Sequence, residues 1–439
     1  MASKNGSTPI ISALLLALAL PGCGEPTGGG SESGTTDDPT SGSTSASSSQ
    51  GSTAAVDDTA GSGTDSGGED DPLPFEPAGP DAAPDPAQLG PYPVGVATVE
   101  LLDDTRLDDE GQPRRLVTEV WYPAAEEARD LPGYVYTVED LLTEEARALL
   151  EEPLEVELAT VAVRDAAPRD VNERFPIVLF SHGSSGVRMQ STYLTVFLAS
   201  HGYVVASPDH IGNTLSDAVV AGGPTTEAQF ESLGLRPDDM GFVLAYLQEL
   251  PGEDPLGAIV DGERVGAAGH SFGALTTLRL LAEDRPIDAA VALAPPGYEI
   301  VWFGALANEP EDITVPVMIQ AGELDMTTPL ADAESIHTRM TAPRSLLTVL
   351  DAGHFSFSDM CLLDPAAIEA ATQIGLSEAL DDGCSGSNID PAVALPLQRH
   401  FAIGLFNGHL RDSPGSLELM TAEAGDAVAP GAFTLDYEG

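Results

Sequence analysis

The run Phe175-Pro176-Ile177-Val178-Leu179-Phe180 constrains the fold more than any other feature of the chain. No polar residue interrupts it, so the two-residue alternation of a half-exposed strand is missing and both of its faces must be covered. A strand of that kind belongs inside a mostly parallel sheet with helices packed on each side. The segments around it keep the same rhythm. Val94 to Leu102 and Leu116 to Tyr122 read as an antiparallel pair joined by an acidic turn, and Val138 to Glu152 as an inserted helical segment. A helix is predicted from Thr192 to Ser200, a strand at Tyr203 to Ala206 and a helix from Pro237 to Leu250. Val265 to Ala268 then leads into a helix beginning at Ser271, and strands follow at Ala289 to Leu293, Val315 to Gln320 and, last, Leu346 to Leu350. Strands alternating with helices give an α/β fold with a mostly parallel central sheet, and such sheets place their chemistry at the carboxyl ends of the strands.

One of those strand ends carries Gly269-His270-Ser271-Phe272-Gly273, entered from a strand and left through the helical Ala274-Leu275-Thr276-Thr277-Leu278. The strand, sharp turn and helix form the setting of a nucleophile elbow. Glycines on either side remove Cβ atoms from a tight turn and let it lift the Ser271 hydroxyl above the sheet. The other reading, a glycine-rich helix start packed on a strand, leaves the serine without a task.

A serine hydroxyl is a weak nucleophile at neutral pH and needs a base oriented by a carboxylate. In this strand–helix arrangement the chain order is serine, acid, histidine. His354, in Asp351-Ala352-Gly353-His354-Phe355, lies just beyond the last predicted strand and is the expected base. Asp325, after the strand Val315 to Gln320, is the expected acid, with Glu323 as its competitor and Asp351 less suitably placed at a strand end. His337, His400 and His409 read as surface or packing residues. The oxyanion donors are expected to be the amides of Phe272 and of Ser184, the latter in the small-residue loop Ser181-His182-Gly183-Ser184-Ser185-Gly186, where His182 would prop the turn. The inserts at 138–164, 215–235 and 296–311 are expected to wall the pocket. Within the last of these, Tyr298, Trp302 and Phe303 either line an acyl or aromatic site or simply pack.

The N-terminus reads as an address. Lys4 precedes an apolar run from Ile10 to Leu20, too short to span a bilayer comfortably, which ends in Leu20-Pro21-Gly22-Cys23. That tetrapeptide resembles a bacterial lipobox and marks residues 1–22 as a signal peptide and Cys23 as a lipid anchor; the other reading is an ordinary cleaved signal. Residues 23–90 are Gly, Ser, Thr, Pro, Ala and Asp with almost no large apolar side chain. They are expected to form a disordered acidic spacer, leaving 91–439 as the folded domain. An extracytoplasmic, membrane-anchored protein follows from this reading, with the membrane met only through the anchor. In such an oxidising compartment Cys361 and Cys384 are expected to pair, the alternative being two buried thiols. No Cys/His spacing suggests a metal site. A net charge of −52, from 70 acidic against 18 basic residues, repels a phosphate backbone and excludes nucleic acid as a partner.

The residues also carry a family resemblance. Phe180-Ser181-His182-Gly183-Ser184-Ser185-Gly186, then Val187-Arg188, Tyr193, Leu198-Ala199-Ser200-His201-Gly202-Tyr203-Val204-Val205 and Pro208-Asp209-His210-Ile211-Gly212-Asn213-Thr214, together with Gly-His-Ser-Phe-Gly, resemble the α/β-hydrolase branch of platelet-activating factor acetylhydrolases and predicted dienelactone hydrolases. The resemblance covers about Pro91 to Leu410. It implies an α/β-hydrolase fold with inserts and a serine esterase that cleaves small or short-acyl esters through an acyl-enzyme, without metal or cofactor. One departure concerns the acid: where the animal acetylhydrolases carry theirs, this chain has Val291-Ala292-Leu293-Ala294-Pro295-Pro296 and no carboxylate. Asp325 instead matches the position used by dienelactone hydrolases and bacterial polyester hydrolases, although the dienelactone hydrolase Cys is replaced here by Ser271. A secreted serine peptidase and a non-catalytic binding lipoprotein on the same scaffold are the competing classes. Proteolysis without ester turnover would favour the first, and failure of a fluorophosphonate to label Ser271 the second.

Overall fold

The computed structural model describes residues 83–107, 111–150, 154–169, 174–341, 343–363 and 381–438. The signal segment, Cys23 and most of the spacer lie outside the described residues. In chain order the elements begin with β1 (Val94–Leu107), β2 (Pro113–Pro123), β3 (Val135–Thr137), α1 (Val138–Leu141), α2 (Glu144–Arg147), β4 (Glu157–Ala159) and β5 (Val163–Arg164). They continue with β6 (Phe175–Ser181), α3 (Thr192–Ser200), β7 (Val204–Pro208), α4 (Leu215–Ala221), α5 (Thr226–Glu249), β8 (Val260–His270), α6 (Phe272–Ala282) and β9 (Ala289–Leu293). The rest are α7 (Tyr298–Val301), β10 (Val317–Gly322), α8 (Leu330–His337), β11 (Arg344–Val349), α9 (Pro391–Leu410), α10 (Pro414–Glu418), α11 (Ala422–Val428) and β12 (Phe433–Glu438).

Ten strands form one sheet in the order β12-β11-β10-β9-β8-β6-β7-β2-β1-β5. The pairs from β7 through β6, β8, β9 and β10 to β11 are all parallel, while β2 runs antiparallel to both β7 and β1, β12 antiparallel to β11, and β5 parallel to β1. The apolar run became β6, buried along its whole length near the sheet centre. Ile177 and Leu179 enter the core cluster built with α5, α6 and α8, and Val178 and Phe180 enter the cluster built with α3 and α9. This two-sided burial is what an uninterrupted apolar strand requires. The fold is therefore the α/β-hydrolase arrangement expected from the sequence, with helices over both faces.

Several details differ from that expectation. Of the segment 138–152, the described residues 138–150 hold two single-turn helices, and the surrounding chain supplies the small hairpin β3–β4 and a short strand, β5, that joins the main sheet. The helix expected to start at Pro237 starts at Thr226, with Pro237 inside it. Pro suits a first helical turn, but Thr225 caps the helix by accepting from Ala228 N, and the buried Gln229, Ser232, Leu233 and Arg236 tie its early turns to the core. The sheet does not end at the strand near Leu346: β12, with Phe433 and Leu435 alternating with Thr434 and Asp436, pairs along all of β11 and covers that edge. The packed chain also begins before Pro91. Ala87 is buried, and the carbonyl of Gln88 lies 3.0 Å from His201 Nε2.

Candidate active site

The elbow is built by contacts that only glycine permits. A Cβ on Gly269 would sit 2.3 Å from the carbonyl oxygen of Gly273, and one on Gly273 would sit 1.8 Å from that of Ser181. With those side chains absent, β8 runs tightly beside β6 and turns at once into α6. Ser271 makes the turn at φ 57, the left-handed region that non-glycine residues occupy at a cost. Its amide is held by Leu293 O at the end of β9, 2.8 Å away.

Asp325 and His354 come from the ends of β10 and β11 and are both buried. His354 Nδ1 lies 2.9 Å from Asp325 Oδ2, so the proton belongs on Nδ1 and Nε2 presents a lone pair. The other carboxylate oxygen accepts from Thr327 N at 2.9 Å and Thr328 N at 2.6 Å. The Thr328 hydroxyl lies 2.9 Å from Asp325 Oδ2, 3.1 Å from Ala294 O and 3.1 Å from His354 Nδ1. The serine and the acid–histidine pair are thus tethered to adjacent residues, Leu293 and Ala294, at one strand end. Burial pulls the His354 imidazole toward neutrality, but the charge and hydrogen bond of Asp325, with a further contribution from Asp382, leave its pKa raised above 6.5. Glu323, the competing carboxylate, instead accepts from the amide of Asp351 at 3.3 Å. Ser271 Oγ and His354 Nε2 make no hydrogen bond to each other here, a separation common before substrate arrives.

The loop after β6 faces the serine from the other side: a Cβ on Gly183 would lie 3.5 Å from Ser271 Cβ. The Gly183 carbonyl takes hydrogen bonds from His182 Nδ1 at 2.7 Å, Arg236 Nη2 at 3.1 Å and Gly186 N at 3.1 Å. In a trans peptide the following N–H points opposite the carbonyl, so these donors fix the direction of the Ser184 amide. Arg236 also donates to His182 O and to Asn213 Oδ1. His182 Nε2 accepts from His210 N at 3.2 Å, the propping position expected for it. A hydrogen-bonded chain then crosses the site: Gly183 N donates to Gln190 Oε1, Gln190 Nε2 to His270 Nδ1, and His270 Nε2 to His354 O, at 2.9, 2.7 and 3.0 Å. Burial, then the neighbouring His354, holds the His270 pKa at about 3, so it is a neutral link.

Sequence reasoning missed Arg236, Gln190, His270 and Asp382. Arg236 falls between the insert read as 215–235 and the helix expected from Pro237, and Asp382 is far from any motif. Only the neighbouring Cys384, whose predicted bond to Cys361 is present, pointed to its loop. Trp302 is buried and donates to Asn308 O at 3.0 Å, so packing accounts for it. Phe303, half-buried, meets the exposed Phe230 edge-on at 6.0 Å. His337 and His400 are buried packing residues. Among the described residues no group of His, Cys, Asp and Glu could hold a metal ion, and no helix is long and apolar enough to cross a membrane.

Residues 84–229 match the family model of platelet-activating factor acetylhydrolase, isoform II, and residues 161–356 that of the dienelactone hydrolase family. The first match contains the Ser181–Gly186 loop, the second Ser271, Asp325 and His354. The chain is 26% identical over 160 residues to platelet-activating factor acetylhydrolase of Cavia porcellus, covering 29% of this chain and 37% of that protein. It is 24% identical over 192 residues to cutinase est1 of Thermobifida alba, covering 43% and 56%. It is 28% identical over 187 residues to bis(hydroxyethyl) terephthalate hydrolase of Streptomyces coelicolor, covering 42% and 51%. The matches thus span between about a third and about half of the length of these relatives. Among solved structures, a ferulic acid esterase from Streptomyces cinnamoneus matches 79% of this chain and 97% of its own with a TM-score of 0.60 at 23% identity. The chain has the α/β-hydrolase fold and resembles both hydrolase families.

Proposed function

We propose that this protein is a serine carboxylic-ester hydrolase acting on small or short-acyl esters. The observation that carries the reading is the buried Asp325–His354 pair, joined at 2.9 Å through Nδ1, set at the same strand end as a serine on a strained elbow. Asp325 holds the tautomer in which His354 Nε2 can accept a proton. Ser271 Oγ attacks the ester carbonyl as His354 Nε2 takes its proton, and the amides of Ser184 and Phe272 receive the negative charge on the carbonyl oxygen. That negative charge, received at Phe272 N, also meets the positive amino end of α6. Collapse of the intermediate passes the proton to the departing alkoxide and leaves an acyl-Ser271, which water attacks with His354 again as base.

The relatives' names support the bond cleaved. They refer to an acetyl ester, cutin and a terephthalate diester, all carboxylic esters, so the shared element is the bond and not the acyl group. In this reading acyl choice comes from the inserts, with Phe230 and Phe303 as apolar wall. The test is hydrolysis of p-nitrophenyl acetate together with fluorophosphonate labelling. Ser271→Ala abolishes both while the far-UV circular dichroism spectrum is unchanged, and retained turnover in that variant refutes the reading. We further infer membrane attachment through Cys23, supported by the lipobox-like Leu20-Pro21-Gly22-Cys23 and the long polar spacer after it.

A further inference from the structure

Asp382 is a buried carboxylate with no arginine, lysine or histidine partner among the described ion pairs. It is held by N–H and O–H donors alone, and those donors come from the two loops that carry the acid and the base. Its Oδ1 accepts from Met326 N at 3.1 Å and from His354 N at 3.0 Å. Its Oδ2 accepts from Thr327 N at 3.0 Å and from the Thr327 hydroxyl at 2.7 Å, with Met326 N also within 3.2 Å. Met326 follows Asp325, and His354 is the base itself, so a single carboxylate locks the backbones on either side of the Asp325–His354 hydrogen bond.

The segment bearing Asp382 is itself fastened to the base loop. Asp382 O accepts from Phe355 N at 2.8 Å, and Gly383 O from the Ser356 hydroxyl at 3.1 Å. A Cβ on Gly353 would lie 2.6 Å from the Asp382 carbonyl carbon, so the two chains approach as closely as a glycine allows. Cys384, two residues on, is bonded to Cys361, which lies just past the turn that begins at His354. The disulfide therefore returns Asp382 to the base loop from a distant point in the sequence.

We propose that Asp382 is a positioning residue for the triad, setting the reach of His354 and adding to its basicity, with the Cys361–Cys384 bond acting through it. The proposal rests on the esterase reading above. The titratable groups facing His354 are Asp325 from the acid loop, Asp382 from the disulfide segment and the neutral His270 from β8. Two of them are negative, and both favour the imidazolium that forms as Ser271 is deprotonated.

The test uses the full chain and p-nitrophenyl acetate, with Ser271→Ala, Asp382→Asn, Asp382→Glu and the double variant Cys361→Ser/Cys384→Ser. Asp382→Asn is expected to lower kcat about 10- to 100-fold, the scale of a displaced reacting group, with KM changed less than about twofold because no substrate contact is lost. The acid limb of its kcat/KM profile moves to lower pH, since one of the two charges facing His354 is gone, and Asp382→Glu restores part of kcat. The cysteine double variant loses kcat in the same direction, and combining it with Asp382→Asn adds little further loss, because both act through one carboxylate. If Ser271→Ala abolishes turnover while Asp382→Asn keeps wild-type kcat and an unmoved acid limb, the positioning role is overturned and the esterase reading stands. Lowered kcat with an unmoved acid limb and full additivity of the cysteine and Asp382 variants also overturns it. Turnover surviving Ser271→Ala would overturn the esterase reading instead.

Discussion

Replacing Arg236 with methionine should separate the stability of the oxyanion loop from its catalytic orientation. The buried guanidinium donates to His182 O, Gly183 O and Asn213 Oδ1. Gly183 O keeps two other donors, His182 Nδ1 and Gly186 N, whereas His182 O and Asn213 Oδ1 lose the strong donor they have. At about 1–3 kcal/mol for each buried acceptor left unsatisfied, the variant should lose roughly 4 kcal/mol of stability. The neighbouring Asp239 adds little to that loss, because Arg114 and Arg106 still hold it at 2.7 Å. Catalytically, the Gly183–Ser184 peptide keeps two of its three restraints. kcat should therefore fall by about 10- to 100-fold, short of the ~10²–10³ lost with a whole oxyanion donor, and KM should hardly move. Urea titrations with an unchanged m-value measure the first quantity, and steady-state p-nitrophenyl acetate hydrolysis the second. Arg236→Lys should rescue neither fully, since a point charge cannot span acceptors arranged for a planar fork. A methionine variant that loses the expected stability but keeps kcat within twofold would show that the Ser184 amide is not aimed by these bonds.

The acid limb of kcat/KM should have its midpoint above 6.5, because the base must be neutral and Asp325 outweighs burial in raising the His354 pKa. Asp325→Asn should lower kcat by about 10⁴, as in other triads that lose their carboxylate, and shift the remaining limb downward; a limb that stays in place assigns it to another group. Burial, the leading cause, lowers His201 and His210 to about 4 and His270 to about 3. Each stays neutral in the fold while its unfolded counterpart takes up a proton below 6.5. Stability is therefore complete above the unfolded value and falls with pH down to the folded one, by about 1.4 kcal/mol per pH unit for each histidine. Urea midpoints between pH 6 and 4 check this, and His201→Gln should flatten the slope by one proton's worth. Cys23→Ser should move the protein from the membrane pellet to the soluble fraction, and unchanged pelleting would reject the anchor.

The sheet was legible because β6 is a strand without alternation and β8 ends in the glycine-flanked serine; each of these local patterns has one good structural solution. The pairing of Asp325 with His354, proposed as acid and base, could be anticipated because chain order on such a sheet leaves few places for it, and the two residues each follow a strand. What escaped was set by distant contacts. Pro237 pointed to a helix start, yet buried Arg236 and Leu233 extend the helix toward the N-terminus, and no local pattern shows that Arg236 will be surrounded by carbonyls of a loop more than fifty residues away. β12 was hidden for a related reason: as an edge strand, half exposed and only six residues long, it has no uninterrupted apolar run to announce it.

The polar residues missed in the sequence share a feature that explains both their invisibility and their use. Arg236, Gln190, His270 and Asp382 satisfy backbone groups of the loops around Ser271 or link one loop to the next. A backbone amide or carbonyl can be satisfied by many side chains from many places in a chain, so such partners leave no motif. Their effect is nevertheless specific, since a buried donor or acceptor has few alternatives without water. Loops at the end of a sheet would otherwise be its least constrained parts. Here the chain Gly183–Gln190–His270–His354 connects the Ser184 loop to the His354 loop, and the Asp382 clamp ties the His354 loop to the Asp325 loop, independently of any substrate. On the proposed esterase reading, the inserts can then differ in sequence and shape, and with them the acyl group accepted, without moving the atoms that would break the ester bond.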